Sequence, residues 1–234
     1  GERPLPPGNV AGDMGGGGLL LAFGIACALY EARGSGRGQV VDAAMFEGAA
    51  ALGVSMFTLL GMGLHDASRP GTNMSDTGSH FYEVYETSDG RYVAVGAIEP
   101  QFYAALLRGL GLEGEDLPKQ MDRRHWPAMK GRFAAIFRSR PRAEWERIFA
   151  GTDACVAPVL SPQEAGEHPH ALARGSFSRA GGMLQPAPVP RFSRTPGEIR
   201  WPPGLPGPDG DPALQGWGIG AERIAALRAS GALY

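Results

Sequence analysis

Apolar side chains recur at helical spacing in the first quarter of the chain. Between Leu19 and Tyr30 they follow one another at intervals of three and four residues, which predicts a helix. The glycine-containing turn 34–38 is expected to end it. A second long helix is predicted from near Asp42 to near Leu64. Because apolar residues lie almost all around this second helix, we expect it to be buried on several sides.

The middle of the chain alternates between strand and helix patterns. Phe81–Thr87 and Arg91–Val95 flank Ser88-Asp89-Gly90, which predicts a hairpin with a type I′ turn, since Asp-Gly supplies its positive φ angles. Pro100 is expected in the first turn of a helix that glycine ends near residues 109–111. Further elements are predicted as helices near 126–137 and 143–149, an extended segment at 156–159 and a helical turn at 161–162.

The last part of the chain is rich in proline and glycine. From Met183 to Pro212 the prolines predict an extended strap over the surface, and Ala221–Ala229 predicts a terminal helix. The changes in texture divide the chain at 1–77, 78–180 and 181–234. The middle part is the expected small α/β domain.

One uncharged apolar stretch, Met14–Tyr30, was compared with a membrane span. It has 17 residues and begins with the glycines 15–18, whereas a spanning helix needs about 20 predominantly apolar residues. The pattern therefore favours a buried helix in a soluble protein, and the two unpaired cysteines fit a reducing cytoplasm. The first residues, Gly1–Pro4, lack the features of a signal peptide, and we interpret them as lying inside a longer protein.

Composition excludes some classes of function. The 22 basic and 24 acidic residues are spread along the chain, so no basic surface for nucleic acid is expected. Cys27 and Cys155 are far apart and form no CxxC motif, which predicts small buried side chains rather than a disulfide framework. His168 and His170 lack cysteine or carboxylate neighbours and are interpreted as a surface loop, not as metal ligands.

The glycine run that follows Asp13 offers two interpretations. In the first, Asp13 stands where its carboxylate caps a helix, which the spacing alone favours. Capping does not explain Gly15–Gly18, because each glycine costs about 0.5–1 kcal/mol inside a helix. The alternative is a turn whose free N–H groups approach a negatively charged ligand. Neither GxGxxG nor a Walker lysine is present.

Several segments together resemble a known superfamily. The residues between 12 and 45 are similar to the family III CoA-transferase and racemase superfamily, and Tyr85–Phe102 resembles its alpha-methylacyl-CoA racemase branch in particular. The likeness covers about Pro6–Thr195 and the C-terminal helix. Its segments are Gly12–Gly17, Gly24–Glu31, Ser35–Met45, Tyr85–Phe102, Asp153–Val159 and Pro190–Ser193.

The resemblance implies a fold and an assembly. The fold would be α/β, with part of a doubly wound large domain built from the helical N-terminal segment and the C-terminal strap and helix. A smaller α/β domain would be inserted between them. Two chains would interlock as a homodimer, with the active site between the large domain of one and the small domain of the other.

The resemblance also implies the chemistry and the site. In the racemases of this superfamily an aspartate and a histidine exchange a proton at the α-carbon of an acyl-CoA thioester, and a glutamate partners the histidine. These matches place the aspartate at Asp13 and the glutamate at Glu99. The expected acyl-CoA contacts, implied by the glycine motif and by a methionine-rich surface, are Gly15, Gly16, Gly17, Met45, Met56 and Met74.

No cofactor and no metal is implied, since coenzyme A is part of the substrate. The matching histidine would precede Asp13 in a missing N-terminal portion of the same protein, so none of the five histidines is assigned. The fragment alone is expected to be inactive.

Three alternatives remain open. Glu99 before Pro100 is also a favourable helix start. Asp13 could be the nucleophile of a CoA-transferase instead of a proton carrier. The fragment could be a catalytically dead dimerisation or interaction module.

Overall fold

The computed structural model of the chain describes residues 8–199 and 210–233. The chain divides into two compact units, Gly1–Val159 and Leu160–Tyr234. The three-part division of the sequence stays a prediction. The elements are a π-helix Val10–Leu19, α1 Leu20–Ser35, α2 Met45–Leu52, α3 Val54–Gly61, a short π-helix Met74–Gly78, β1 Tyr82–Glu86, β2 Tyr92–Gly96, α4 Pro100–Gly109, a 3₁₀-helix Arg123–His125, α5 Trp126–Phe137, α6 Arg142–Phe149, β3 Val156–Pro158, α7 Pro162–Glu167, α8 Pro169–Arg174, β4 Phe177–Ala180, β5 Met183–Pro186, α9 Gly210–Gly216 and α10 Ala221–Ala229.

The first helix is longer than the sequence suggested. Helical hydrogen bonding continues through the glycine run, where Met14 N–H donates to Asn9 O at 3.0 Å, and ends before Gly36 in the left-handed conformation. The helical stretch Val10–Ser35 has 26 residues; its most apolar 18-residue window has a mean hydropathy of 1.5, and 6% of that window is buried. By length and composition it is long enough to cross a membrane. The argument from a short apolar stretch was therefore wrong.

The second predicted helix is two helices. Gly53, with ψ at 10°, interrupts the helical path between α2 and α3. The expectation of burial on several sides was also wrong, because Gly48 is the buried residue of α2 and α3 has none. Large apolar side chains on α2 and α3 are exposed instead, among them Phe46, Met56 and Phe57, as are Phe23 and Leu29 on α1.

The first unit has its core in an α/β module. The antiparallel sheet β1-β2-β3 packs with α4, α5 and α6. Helix α5 has the predicted bounds. It begins with a proline in its first turn, and four of its side chains are buried on one side. The largest buried side chains are held by contacts between rings: Trp145 stacks near Phe149, and its indole N–H donates to Phe137 O at 2.8 Å.

The predicted hairpin is confirmed, but its turn type was wrong. Thr87 N–H donates to Arg91 O at 2.8 Å, so three residues form the loop, and Gly90 has a φ of 69°. This is a turn followed by a left-handed glycine, which suits a three-residue hairpin. Thr87 Oγ1 bonds to Asp89 Oδ1 at 2.6 Å, which stabilises the longer loop.

A type I′ turn lies in the second unit, in a hairpin that the sequence analysis missed. Strands β4 and β5 pair from Phe177↔Pro186 to Ala180↔Met183. Gly181 and Gly182 between them both have positive φ, as this turn requires.

The helices of the second unit follow local signals. Ser161 and Glu164 form a capping box at the start of α7, and the predicted α10 is confirmed. Part of the predicted strap, 200–209, lies outside the described residues.

Candidate active site

Asp13 lies in the first turn of the π-helix and is exposed. The residue at the cap position is Asn9, so the capping interpretation of Asp13 was wrong. Within residues 8–199 and 210–233, no hydrogen bond or ion pair engages the Asp13 carboxylate. Its position leaves both oxygens available to a ligand.

The glycines after Asp13 are inside a helix rather than in a turn before it. Gly16 is buried against α2: a Cβ at Gly16 would lie 2.6 Å from Ala49 N, and one at Gly48 would lie 1.9 Å from Gly16 O. Close approach of the two backbones therefore requires glycine at both positions. Gly15 and Gly17 are half-buried, so they retain some surface that a ligand could reach.

The three methionines occupy different surroundings. Met45 packs beside the Asp13 turn, since its side chain lies 3.7 Å from a Cβ built at Gly12 and 3.8 Å from one built at Gly17. Met56 is exposed on α3, whereas Met74 packs against the core of the α/β module. Of the three, Met45 is the one that the structure places against the glycine motif.

Glu99 is exposed at the position that precedes α4, with Pro100 in the first turn. The predicted helix start is confirmed, yet the carboxylate makes no capping hydrogen bond. Gln120 fixes the backbone leading to Glu99, because its amide donates to Ala97 O at 3.0 Å and to Ile98 O at 2.8 Å. The indole of Trp126 in turn donates to Gln120 O at 2.8 Å.

Cys155 is a residue that sequence reasoning missed. Both cysteines were expected to be buried, but both are exposed. Cys155 has a φ of 51°, a left-handed conformation that is uncommon without glycine and that recurs at functional sites. Slight burial, and then the charges of Glu99 and Asp153, raise the pKa of its thiol. No side-chain pattern in the sequence signals this backbone conformation.

His80 is the buried histidine of the α/β module. Its Nε2 lies 2.8 Å from the Tyr103 hydroxyl, and its Nδ1 has no partner among the described residues. Burial lowers the pKa of His80 to about 4, so the ring is neutral at pH 7. Among the described residues, no hydrogen bond or ion pair joins Asp13 to Glu99. The described residues also contain no cluster of three side chains that could hold a metal ion.

Comparison with known proteins identifies the family. Residues 1–211 match the model of CoA-transferase family III. The chain belongs to this family. It is 52% identical over 197 residues to an alpha-methylacyl-CoA racemase of Mus musculus, which covers 84% of this chain and 51% of that protein. With the Homo sapiens protein of the same name the identity is 47% over 197 residues, with the same coverage.

A solved structure has a fold similar to that of this chain. A hypothetical protein from Mycobacterium tuberculosis superposes with a TM-score of 0.67 at 15% identity, covering 90% of this chain and 56% of that one. The chain therefore spans about half the length of the relatives that it matches. The mixed α/β architecture expected from the sequence is confirmed, and both described sheets are antiparallel.

Proposed function

We propose that this chain forms part of an isomerase that inverts the α-carbon of 2-methylacyl-CoA thioesters. The identity with alpha-methylacyl-CoA racemases, over most of the chain, carries this proposal. Asp13 and Glu99 both fall within the matched family region. Such an enzyme serves fatty acid metabolism.

The reaction needs one proton removed from the α-carbon and another returned to the opposite face. Two groups in opposite protonation states suit it, because each reverses its role with the handedness of the substrate. Asp13 is one carrier in this proposal, and a histidine outside the chain is the other, tuned by Glu99. No metal or redox cofactor takes part.

Between the two proton transfers the thioester oxygen carries negative charge. Donors aimed at that oxygen stabilise the intermediate. In the structure the first internal hydrogen bond of the π-helix is made by Met14, and the N–H groups that precede it, up to that of Asp13, are the candidates for this role. Gly15, Gly17 and Met45 contact the acyl-CoA beside them, and Met56 and Met74 contact the acyl chain farther away.

The surroundings of the site require more protein than this chain. The helices α1, α2 and α3 have exposed apolar faces. These faces support the proposal that the helices pack against the rest of a doubly wound large domain and against the second chain of an interlocked homodimer. We propose a cytoplasmic enzyme that binds neither nucleic acid nor membrane. The missing N-terminal portion supplies the second carrier.

Isotope exchange tests the isomerase. The chain, extended at its N-terminus to the length of its relatives, is incubated in heavy water with each enantiomer of a 2-methylacyl-CoA. The proposal predicts α-deuterium from both enantiomers and convergence on a racemic mixture. The 234-residue chain alone should show no measurable turnover. Robust racemisation by that chain, or inversion without exchange in the extended enzyme, would contradict the proposal.

The second candidate is CoA transfer, which the family description itself favours. Here Asp13 attacks the thioester carbonyl and forms a mixed anhydride while the CoA thiolate leaves. The sequence has no glycine loop of the GGGGQP kind between residues 78 and 180, which speaks against it. Hydroxylamine-trapped acyl groups on Asp13, together with CoA transfer to an added free acid and no α-exchange, would establish the transferase. An inactive dimerisation module would show neither reaction in the extended enzyme.

A further inference from the structure

A pocket of ≈ 250 Å³ lies in the first unit, between the end of α3 and the start of α5. It is larger than the engineered cavity of about 150 Å³ that binds benzene, and smaller than most sites for drug-sized ligands, at about 300–1,000 Å³. A medium-length chain therefore suits its size. The residues that line it are Leu59, Leu64, His65, Asn73, Met74, Ser75, Met121, Arg123 and Trp126.

The body of the pocket is apolar and well supported. Trp126 is 4% exposed, and its indole N–H is already bonded to Gln120 O, so the ring presents carbon to the pocket. Met74 packs against the same core and offers a flexible thioether that adapts to an aliphatic chain. The side-chain amide of Asn73, another lining residue, already donates to Asp66 O at 3.1 Å and to Asp76 Oδ2 at 2.7 Å. The interior is therefore built for alkyl groups.

Arg123 contributes a positive charge to the lining of the pocket. The guanidinium carbon of Arg123 lies 5.2 Å from the ring centroid of Trp126, which orients it by a cation–π contact. Across the described ranges no hydrogen bond or ion pair joins Arg123 to a carboxylate. No acidic side chain lines the pocket.

The nearest acid along the chain is already engaged. Arg124 donates to both oxygens of Asp122, at 2.9 and 2.7 Å, and lowers the pKa of that carboxyl to about 2. His125 lies 3.7 Å from the same carboxylate. Arg123 is thus left as an unneutralised cation in the lining of a largely apolar pocket, an arrangement that suits a guanidinium–carboxylate pair.

We propose that this pocket binds a medium-length aliphatic chain that ends in a carboxylate, with the chain against Trp126 and Met74 and the carboxylate on Arg123. Neither Asp13 nor Glu99 is among the lining residues, but Met74 is one of the proposed acyl-chain contacts, so the acyl-chain form of the ligand rests on the proposed function whereas the free-acid form does not. The carboxylate belongs either to a free fatty acid or to an acyl chain whose far end is oxidised.

Methionine methyl resonances provide a local test, since Met74 and Met121 line the pocket whereas Met14 and Met45 do not. The chain labelled with ¹³C-methyl methionine is titrated with octanoate. We expect saturable shifts at Met74 and Met121 and none at Met14 and Met45, with octylamine at least about fivefold weaker and acetate without effect. Equal shifts at all four methyl groups would indicate adventitious binding to exposed apolar surface and would overturn the proposal.

Two variants isolate the charge. Arg123→Gln should weaken octanoate about threefold to tenfold, the range that a partly exposed charged hydrogen bond supports. Arg108→Gln, which removes an exposed arginine paired with Glu113, is the matched control and should leave octanoate affinity unchanged. The proposal fails if Arg123→Gln binds octanoate as the parent does, or if both variants weaken it equally.

Two thioesters distinguish the sources of the carboxylate. Competition by suberoyl-CoA, whose acyl chain ends in a carboxylate, identifies an acyl chain. Absence of that competition, with octanoate bound, identifies a free acid. Competition by octanoyl-CoA as strong as that by suberoyl-CoA would show that the carboxylate does not matter and would overturn the proposal.

Discussion

Two parts of the first unit are both rich in apolar side chains and bury them very differently. In the α/β module from Ser79 to Val159, sheet and helices enclose a core with Phe81, Leu106 and Phe133 at 0% exposure. In the helices from Val10 to Gly61, Gly16 and Gly48 are the buried residues, and Phe46 is 74% exposed. The module satisfies its own hydrophobic surface, whereas the helices present theirs outward.

The difference bears on the proposed site. Exposed apolar faces are typical of interaction surfaces, and Asp13 lies on the helices that carry these side chains. Glu99 lies on the self-contained module. The two candidate carboxylates therefore lie in parts that are stabilised differently. Glu99 is positioned by the core of the α/β module, whereas the position of Asp13 depends on protein that packs against the exposed helices.

The largest expected effect contrasts one buried and one exposed phenylalanine. Phe133→Ala removes a fully buried ring, and we expect the free energy of unfolding to fall by about 3–5 kcal/mol. Phe57, at 55% exposure on α3, is the matched position, and Phe57→Ala should change it by less than about 1 kcal/mol. Urea unfolding of the 234-residue chain measures both. Equal losses would show that the helices are packed as tightly as the module.

The buried His80 makes the module sensitive to acid. In the unfolded chain a histidine has a pKa near 6.5, and in the module burial lowers the pKa to about 4. The unfolded state therefore binds more protons below pH 6.5, so the contribution of His80 is complete above that pH and is lost as pH falls towards 4. We expect a loss on the order of 2–3 kcal/mol.

Urea unfolding at several pH values measures this loss. His80→Gln should flatten the pH dependence between 6.5 and 4, and the exposed His125→Gln should retain it. A parent chain with no pH dependence in that window would contradict a buried neutral imidazole.

Inside the helical part, the contact of the π-helix with α2 can be tested alone. Gly48→Ala would place a methyl group against the backbone of Gly16, and we expect a loss of about 1–3 kcal/mol. Gly61→Ala meets nothing within 4 Å and should gain about 0.5–1 kcal/mol in α3. Helical circular dichroism during urea unfolding reports both. A neutral Gly48→Ala would mean that the two helices are not in contact.

The smallest effect concerns the strained backbone at Cys155. Because left-handed φ disfavours any Cβ, Cys155→Gly should be about 0.5–1 kcal/mol more stable than Cys155→Ala. The matched pair is Cys27→Gly and Cys27→Ala on the exposed helix α1. There the alanine variant should be the more stable one, since alanine favours a helix by about 1 kcal/mol over glycine. Thermal unfolding of the four variants decides it, and the same sign at both positions would contradict the left-handed conformation.

The module was predictable from the sequence because its signals are local. Proline at the start of α4 and α5, and Asp-Gly between two alternating strands, specify elements that pack on one another. The turn type at Gly90 was missed because hydrogen bonding of Thr87 sets a three-residue loop, which the dipeptide alone does not reveal. Burial of the helices could not be predicted, since periodicity identifies an apolar face but not the surface that covers it.

The site was predictable only in part. The positions of Asp13 and Glu99 followed from the resemblance, and the start of α4 at Glu99 followed from Pro100. The glycine run is π-helical and lies in tight contact with α2, a tertiary contact that no window of sequence contains. The left-handed backbone of Cys155 and the hydrogen bonds from Gln120 to the backbone before Glu99 are features that residue patterns do not signal.

The account rests most directly on what each carboxylate does at the α-carbon. The measurement is the rate of α-deuterium exchange by the extended enzyme carrying Asp13→Asn or Glu99→Gln, with urea unfolding to verify the fold. We predict that Asp13→Asn lowers exchange by about 10²–10⁴-fold, since an amide cannot relay a proton, and that Glu99→Gln slows it less. Exchange at the parent rate in folded Asp13→Asn would contradict the account.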